Sequence, residues 1–325
     1  DEPPSSYGSS RPDSYSDQSR GQKGGSGSSG RKDSGGKGGK GDRGGKGGKG
    51  KGDKGAKRKR DASPEPGEYT ENSAPIRLTM PEVMPRLVQA AQEQEGSRFL
   101  QSRLTEAFKA DERDQIFELA LPATAKLAED VFGNFVVQKL MERGTEAQRN
   151  DMVTKVKGHV TDLANHKYGC RVVQTLLKVL PLEGKIELTA ELGPTVVECI
   201  ENMHGNHVIQ KVVENMAPDN VDFVISAIAS QAEEMAAHMY GCRVIQRLLE
   251  RCEPDRLAVL LDQVVGCIGK LARDKHGNYV VQCILEHGRE EDKRKVMEVI
   301  RGSLMDFAKN KVSSNVVEKC FAIST

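Results

Sequence analysis

The sequence predicts an all-α solenoid, a stack of helical repeats, preceded by a tail that cannot build a core. Three observations carry this. A six-residue phrase returns seven times, the residues between its copies have helical apolar spacing, and the first 73 residues contain almost no aliphatic side chains. Two regions follow, residues 1–73 and residues 74–325.

The first region is rich in Gly, Ser, Lys and Asp. Such a segment buries too little apolar surface to offset its ordering entropy, so it reads as disordered. Between Gly21 and Arg60 it holds 14 Lys/Arg, three Asp and 17 glycines. That is a flexible basic arm able to add sequence-independent phosphate affinity. Lys57–Arg60 (KRKR) also reads as a nuclear localisation signal, against an otherwise cytoplasmic expectation. The chain starts at Asp1 rather than Met, so a processed or missing N-terminus is expected. No apolar run approaches the ~18 residues needed to span a bilayer, so no membrane partner is expected.

The net charge of +1 hides an asymmetry. Residues 1–73 hold 16 basic and 11 acidic groups, which leaves residues 74–325 at 32 and 36, a net of −4. The repeat region is therefore no generic polycation; a basic surface there must be focused on one face. The seven cysteines, Cys170, Cys199, Cys242, Cys252, Cys267, Cys283 and Cys320, include no CxxC pair. Their odd count argues against a full disulfide framework and for a reducing compartment. No Cys/His cluster has ligand spacing, so neither a metal nor another cofactor is expected.

The phrase reads GSRFLQ from Gly96, GNFVVQ from Gly133, GCRVVQ from Gly169 and GNHVIQ from Gly205. It continues as GCRVIQ from Gly241, GNYVVQ from Gly277 and SSNVVE from Ser313. The first step is 37 residues and the next five are 36, a period that marks stacked repeats. Residues 217–253 show one unit. Asp219 to Ala236 places Val221, Val224, Ile225, Ile228 and Ala232 at helical spacing. A break at His238–Gly241 follows, then a second helix with Val244, Ile245, Leu248 and Leu249, and Pro254 suits the next helix opening. Each unit reads as two amphipathic helices that bury their apolar faces only by stacking. The phrase-initial glycines mark a helix entry where a side chain would crowd its surroundings or the backbone needs unusual dihedrals.

The fourth and fifth phrase positions stay apolar, while the second, third and sixth vary within a small polar menu. These are Ser97, Arg98 and Gln101; Asn134, Phe135 and Gln138; Cys170, Arg171 and Gln174; Asn206, His207 and Gln210. The later units hold Cys242, Arg243 and Gln246; Asn278, Tyr279 and Gln282; and Ser314, Asn315 and Glu318. The second and sixth stand one helical turn apart on one face, and the third sits beside them. Each unit should thus offer two short or planar hydrogen-bonding groups beside a flat surface. Planar bases ask for such groups: flat side chains stack on their faces and amides or carboxylates bond their edges. A carboxylate only accepts, and guanine shows two adjacent donors, so Glu318 should mark a guanine. A merely solvated face would not repeat Gln six times and Glu once in register.

These phrases at this spacing resemble Pumilio (PUF) RNA-binding repeats over roughly residues 80–325. The resemblance implies a right-handed superhelical crescent, with RNA running antiparallel to the repeats on its concave face. It implies that Asn with Gln reads uracil, Cys or Ser with Gln reads adenine, and Ser with Glu reads guanine. The site carried over is 5′-GUAUAUA-3′. It further implies a monomer that binds single-stranded mRNA in 3′ untranslated regions and recruits co-repressors or deadenylation machinery. Family domains usually have eight repeats and helical caps at both ends. Here the N-terminal cap looks reduced to the stretch around Ser73–Gln92. The seventh phrase runs only to Thr325, which would leave an end with exposed apolar surface, as in a truncated gene model or fragment. Two alternatives use the same scaffold: a HEAT- or armadillo-like protein-binding solenoid, and a nuclear PUF-like factor of ribosome biogenesis. An enzyme is not expected: the seven histidines lie at scattered repeat positions, and no nucleophile–base pair or phosphate-binding loop is present.

Overall fold

The computed structural model describes residues 78–106 and 110–324. The expected tail, with Lys57–Arg60, lies outside the described residues. Those residues form helices and turns, with no strand among them. The helices fall into seven units of three. Unit 1 holds α1 (Met80–Val83), α2 (Leu87–Ala91) and α3 (Gln94–Thr105); unit 2 holds α4 (Ala110–Ala120), α5 (Thr124–Ala128) and α6 (Gly133–Arg143). Unit 3 holds α7 (Glu146–Val156), α8 (Val160–Asn165) and α9 (Gly169–Val179). Unit 4 holds α10 (Leu182–Ala190), α11 (Val196–Glu201) and α12 (Gly205–Asn215). Unit 5 holds α13 (Asp222–Ala229), α14 (Ala232–Ala237) and α15 (Gly241–Arg251). Unit 6 holds α16 (Ala258–Gly266), α17 (Ile268–Leu271) and α18 (Gly277–His287). Unit 7 holds α19 (Glu290–Gly302), α20 (Leu304–Lys309) and α21 (Ser314–Ser324). The all-α solenoid read from the sequence is the observed fold.

The unit is not the helix pair that the spacing suggested. Asp219–Ala236 breaks between Ala229 and Ala232, because Gln231 leaves the helical region at φ −131°, ψ 35°. The same departure falls at Arg86, Ala123, His159, Thr195, Cys267 and Ser303, with φ between −102° and −141°. These positions keep the intervals of the phrase but share no residue type. The bend turns each short middle helix onto the third helix of its own unit, and the two pack together throughout. Ile228 before the bend and Ala232 after it are both fully buried. Unit 3 makes its bend with Gly158 at φ 84°, a left-handed conformation that favours glycine.

The third helices, α3, α6, α9, α12, α15, α18 and α21, lie side by side in one row. Their apolar phrase pairs form the spine: Val136 with Val137, Val172 with Val173, Val208 with Ile209, Val244 with Ile245 and Val280 with Val281 are fully buried. Each such side chain contributes roughly 1.5–3 kcal/mol by leaving water. No unit could gain this alone, so stacking and folding are one process.

The phrase glycines sit where the third helix meets the middle helix of its own unit. A Cβ on Gly241 would lie 2.5 Å from the Met235 carbonyl oxygen, and one on Gly96 2.2 Å from that of Ala90. Crowding alone explains them, since Gly158 is the only glycine with positive φ among the described residues. At the other end of the row, α19, α20 and α21 enclose an apolar groove of about 380 Å³ lined by Met297, Ile300, Leu304, Val317 and Phe321 among others. Phe321 is 62% exposed, whereas its counterparts one to four units earlier, Leu285, Leu249, Val213 and Leu177, are buried.

Candidate nucleic-acid interface

The third helices of units 2 to 7 each start on a side-chain acceptor placed three residues before the first residue of the phrase. The first backbone N–H groups of a helix have no internal partner and need one. Asp130 Oδ1 accepts from Phe132 N (2.9 Å) and Gly133 N (2.7 Å). Asn202, Asp274 and Asn310 do the same through Oδ1 in units 4, 6 and 7. In units 3 and 5 the acceptor is an imidazole: His166 Nδ1 takes Tyr168 N and Gly169 N, and His238 Nδ1 takes Tyr240 N and Gly241 N. Four of the histidines that looked scattered therefore fall into two columns, since His204 and His276 also share a place in their units. At Asp274 burial pushes the carboxyl up, but the N–H groups of Gly277 and His276 and the charges of His276 and Lys275 outweigh it. The group ends below the usual carboxylate range.

On these anchored helices the polar phrase positions come together along one row, though not as the open pairs expected. The third-position side chains Arg171, His207, Arg243, Tyr279 and Asn315 are exposed, and Arg98 and Phe135 partly so. The sixth-position side chains Gln101, Gln138, Gln174, Gln210, Gln246 and Gln282 are half-buried, and Glu318 is exposed. The second position is different. Ser97, Asn134, Cys170, Asn206, Cys242 and Asn278 are no more than 3% exposed, and only Ser314 is partly open.

The reason lies in the hydrogen bonds. Asn134 Nδ2 donates to the carbonyls of Asp130 (2.8 Å) and Val131 (3.1 Å), while its Oδ1 accepts from Gln138 Nε2 (2.9 Å). Asn206 with Gln210 (3.0 Å) and Asn278 with Gln282 (2.9 Å) repeat the pair. In each, the second residue forms the floor and fixes the amide above it. Ser97 Oγ donates to the Phe132 carbonyl in the next unit and accepts from Gln101 Nε2. The Cys242 floor leaves Gln246 Nε2 to bond the Cys242 carbonyl at 2.9 Å. Burial raises both second-position thiols, Cys170 and Cys242, the latter to about 11, so they stay protonated at neutral pH.

The row has a two-unit rhythm. Arg98, Arg171 and Arg243 stand in units 1, 3 and 5, and the rings of Phe135, His207 and Tyr279 in units 2, 4 and 6. A planar ligand lodged between neighbours meets a guanidinium on one side and a ring on the other. The rhythm extends to the floors, Ser or Cys against Asn, and to the caps, where imidazoles serve the Cys units and Asp or Asn the Asn units. The capping column escaped the sequence reading although it keeps the phrase interval, because its members share an acceptor atom rather than a residue type. Among the described residues no three His, Cys, Asp or Glu side chains are placed to hold a metal ion, and no helix is long and apolar enough to cross a membrane.

A stack of three-helix units carrying one polar triplet each defines a modular helical-repeat protein. The chain belongs to the Pumilio family. The Pumilio-family RNA binding repeat matches residues 86–119, 124–156, 159–192, 196–229, 231–265, 267–301 and 303–325, each match opening at or just after a bend. Among curated relatives, Pumilio homolog 1 of Xenopus laevis is 40% identical over 87 residues, which is 27% of this chain and 7% of that protein. The mRNA-binding protein puf3 of Schizosaccharomyces pombe is 39% identical over 80 residues, 24% of this chain and 11% of that one. The matched stretches thus span a small part of those relatives. Among solved structures, the Puf3 RNA-binding domain bound to a Cox17 RNA 3′ UTR recognition sequence has a TM-score of 0.72 and 32% identity, covering 77% of this chain and 74% of that one. PUF-8 in complex with PBE-RNA has a TM-score of 0.74 and 34% identity, covering 77% and 73%.

Proposed function

We propose that the chain binds single-stranded mRNA sequence-specifically, one base per unit, with 5′-GUAUAUA-3′ as its site. The observation that carries this is the row of seven in-register triplets, each a floor, an edge-reading amide or carboxylate and a flat flank. The solved relatives bound to RNA, one of them to a 3′ UTR recognition sequence, support the same reading. Ser314 and Glu318 read G, Asn278 and Gln282 U, Cys242 and Gln246 A, Asn206 and Gln210 U. Cys170 and Gln174 read A, Asn134 and Gln138 U, and Ser97 and Gln101 A. Arg98, Phe135, Arg171, His207, Arg243, Tyr279 and Asn315 stack between successive bases.

Size and polarity give the selection. An Asn floor fills its slot and holds the Gln so that an amide oxygen meets the N3–H of uracil. A smaller Cys or Ser floor leaves depth for a purine. Glu318 offers two acceptors to the adjacent donors of guanine. In this reading the protein acts as a monomer on 3′ UTRs in the cytoplasm and recruits co-repressor or deadenylation proteins.

The test is a titration with GUAUAUA and with UUAUAUA RNA. The wild type should prefer the first by about 1–3 kcal/mol, as for one wrong base in a DNA site. Ser314→Asn with Glu318→Gln should reverse that preference. Equal binding of both RNAs by both proteins would overturn the assignment.

A further inference from the structure

Units 1 to 6 form a pattern that maps onto itself when moved by two units. The floors of units 1, 3 and 5, Ser97, Cys170 and Cys242, are small, and those of units 2, 4 and 6, Asn134, Asn206 and Asn278, are amides; all six are buried. The three Asn hold their glutamines alike, at 2.9, 3.0 and 2.9 Å. Both Cys thiols donate to a carbonyl three residues back, Cys170 to Lys167 and Cys242 to Met239. The flanks alternate in step, a guanidinium on the small-floored units and a ring on the Asn units. Phrase steps of 37 and then 36 residues set these helices evenly in one row.

Unit 7 keeps the rhythm in its floor and breaks it at the other two places. Ser314 is small, as in units 1, 3 and 5, but Asn315 stands for the arginine and the exposed Glu318 for the glutamine. An RNA of alternating A and U has the same two-step symmetry as the row. Moved by one nucleotide, it sets a purine over every Asn floor and a pyrimidine over every small one, wrong at all six units. Moved by two, it restores every contact in units 1 to 6. Unit 7 then faces adenine in place of guanine. The small Ser314 floor admits that purine, and Glu318 still accepts from its N6 amino group. The second carboxylate oxygen meets the bare N1, where guanine carries a donor.

We propose that alternating UA tracts are a second class of RNA ligand for this row, bound in registers two nucleotides apart, and that Glu318 is the residue that singles out one register by its guanine. This rests on the RNA-reading function above. A tract without guanine loses one contact of seven but gains one register for every added UA step. Equivalent registers multiply the association constant by their number. With Glu318→Gln, unit 7 carries the Ser and Gln pair of unit 1, so adenine is read at both ends of the row.

The experiment uses the full chain and four RNAs of equal length, labelled and kept dilute so that the strands do not pair. CCCGUAUAUACCC holds the guanine site, CCCAUAUAUACCC one UA register, AUAUAUAUAUAUA four, and CCCAAAAUUUCCC the same bases without alternation. The wild type should bind the first about five- to 150-fold more tightly than the second, the cost of one wrong base. It should bind the third about fourfold more tightly than the second, and the fourth far more weakly than any. Glu318→Gln should lose the preference for the first RNA and keep the fourfold step between the second and third. If the third RNA binds no more tightly than the second, or the second no better than the fourth, tract binding is overturned while the GUAUAUA reading stands. A variant that still prefers guanine overturns the role of Glu318. A wild type that binds the first RNA no better than the fourth overturns the RNA reading and the tract with it.

Discussion

Ser313 stands where six other units have glycine, and its hydroxyl donates to the Phe307 carbonyl at 2.8 Å. That carbonyl lies six residues back, as do the Met235 and Ala90 oxygens that a Cβ on Gly241 or Gly96 would strike. A serine is tolerated because it turns the close approach into a bond, with Ser313 fully buried.

Ser313→Ala should therefore destabilise the protein by about 1 kcal/mol, through loss of the donor to a buried carbonyl. Gly241→Ala should cost about 1–3 kcal/mol, since its methyl has no room beside Met235. Urea denaturation followed by circular dichroism measures both; a neutral Gly241→Ala would refute the crowding argument.

Capping depends on an acceptor atom and not on charge. Asp274→Asn should be nearly neutral at pH 7, as Asn202 and Asn310 do the same work, whereas Asp274→Ala should cost about 1 kcal/mol. The carboxyl of Asp274 is held low in the fold, so its contribution is full above the unfolded-state pKa of about 3.9 and is lost as pH falls further. Denaturation curves of the Asn variant should lose that acid-side dependence.

His204 and His276 should make the fold sensitive to mild acid. Burial lowers both, aided at His204 by the charges of His166, Lys167 and Arg171. At His276 Lys275 adds to burial while Asp274 opposes it. A lowered folded-state pKa means that the unfolded chain takes up protons first, so stability falls as pH drops through about 6.5. His204→Gln with His276→Gln should flatten the melting temperature between about pH 7.5 and pH 5.5. An unchanged slope in the double variant would refute this.

Arg289 reaches Asp262 at 2.5 Å and the fully buried carboxylate of Asp292 at 2.7 Å. Arg289→Met should destabilise by about 3–5 kcal/mol, because it strands a buried charge. Adding Asp292→Leu should recover most of the loss in a double-mutant cycle.

The sequence by itself determined the solenoid, its register and the residues of the row. Those follow from a repeated phrase, and a repeat of seven copies fixes which positions share an environment. It did not reveal the short middle helix of each unit: Arg86, Ala123, Gln231 and Ser303 have nothing in common except the bend they make, which packing imposes on whatever residue stands there. Nor did it show that Asn134 and Asn278 lie beneath their glutamines. Helical spacing places two side chains on one face, but depth on that face is set by how closely the neighbouring unit approaches. The same approach brings Thr175 to Gln138, 37 positions apart. Contacts between units were decided by the tertiary structure alone, since they depend on the distance and rotation between stacked helices, which no single repeat encodes.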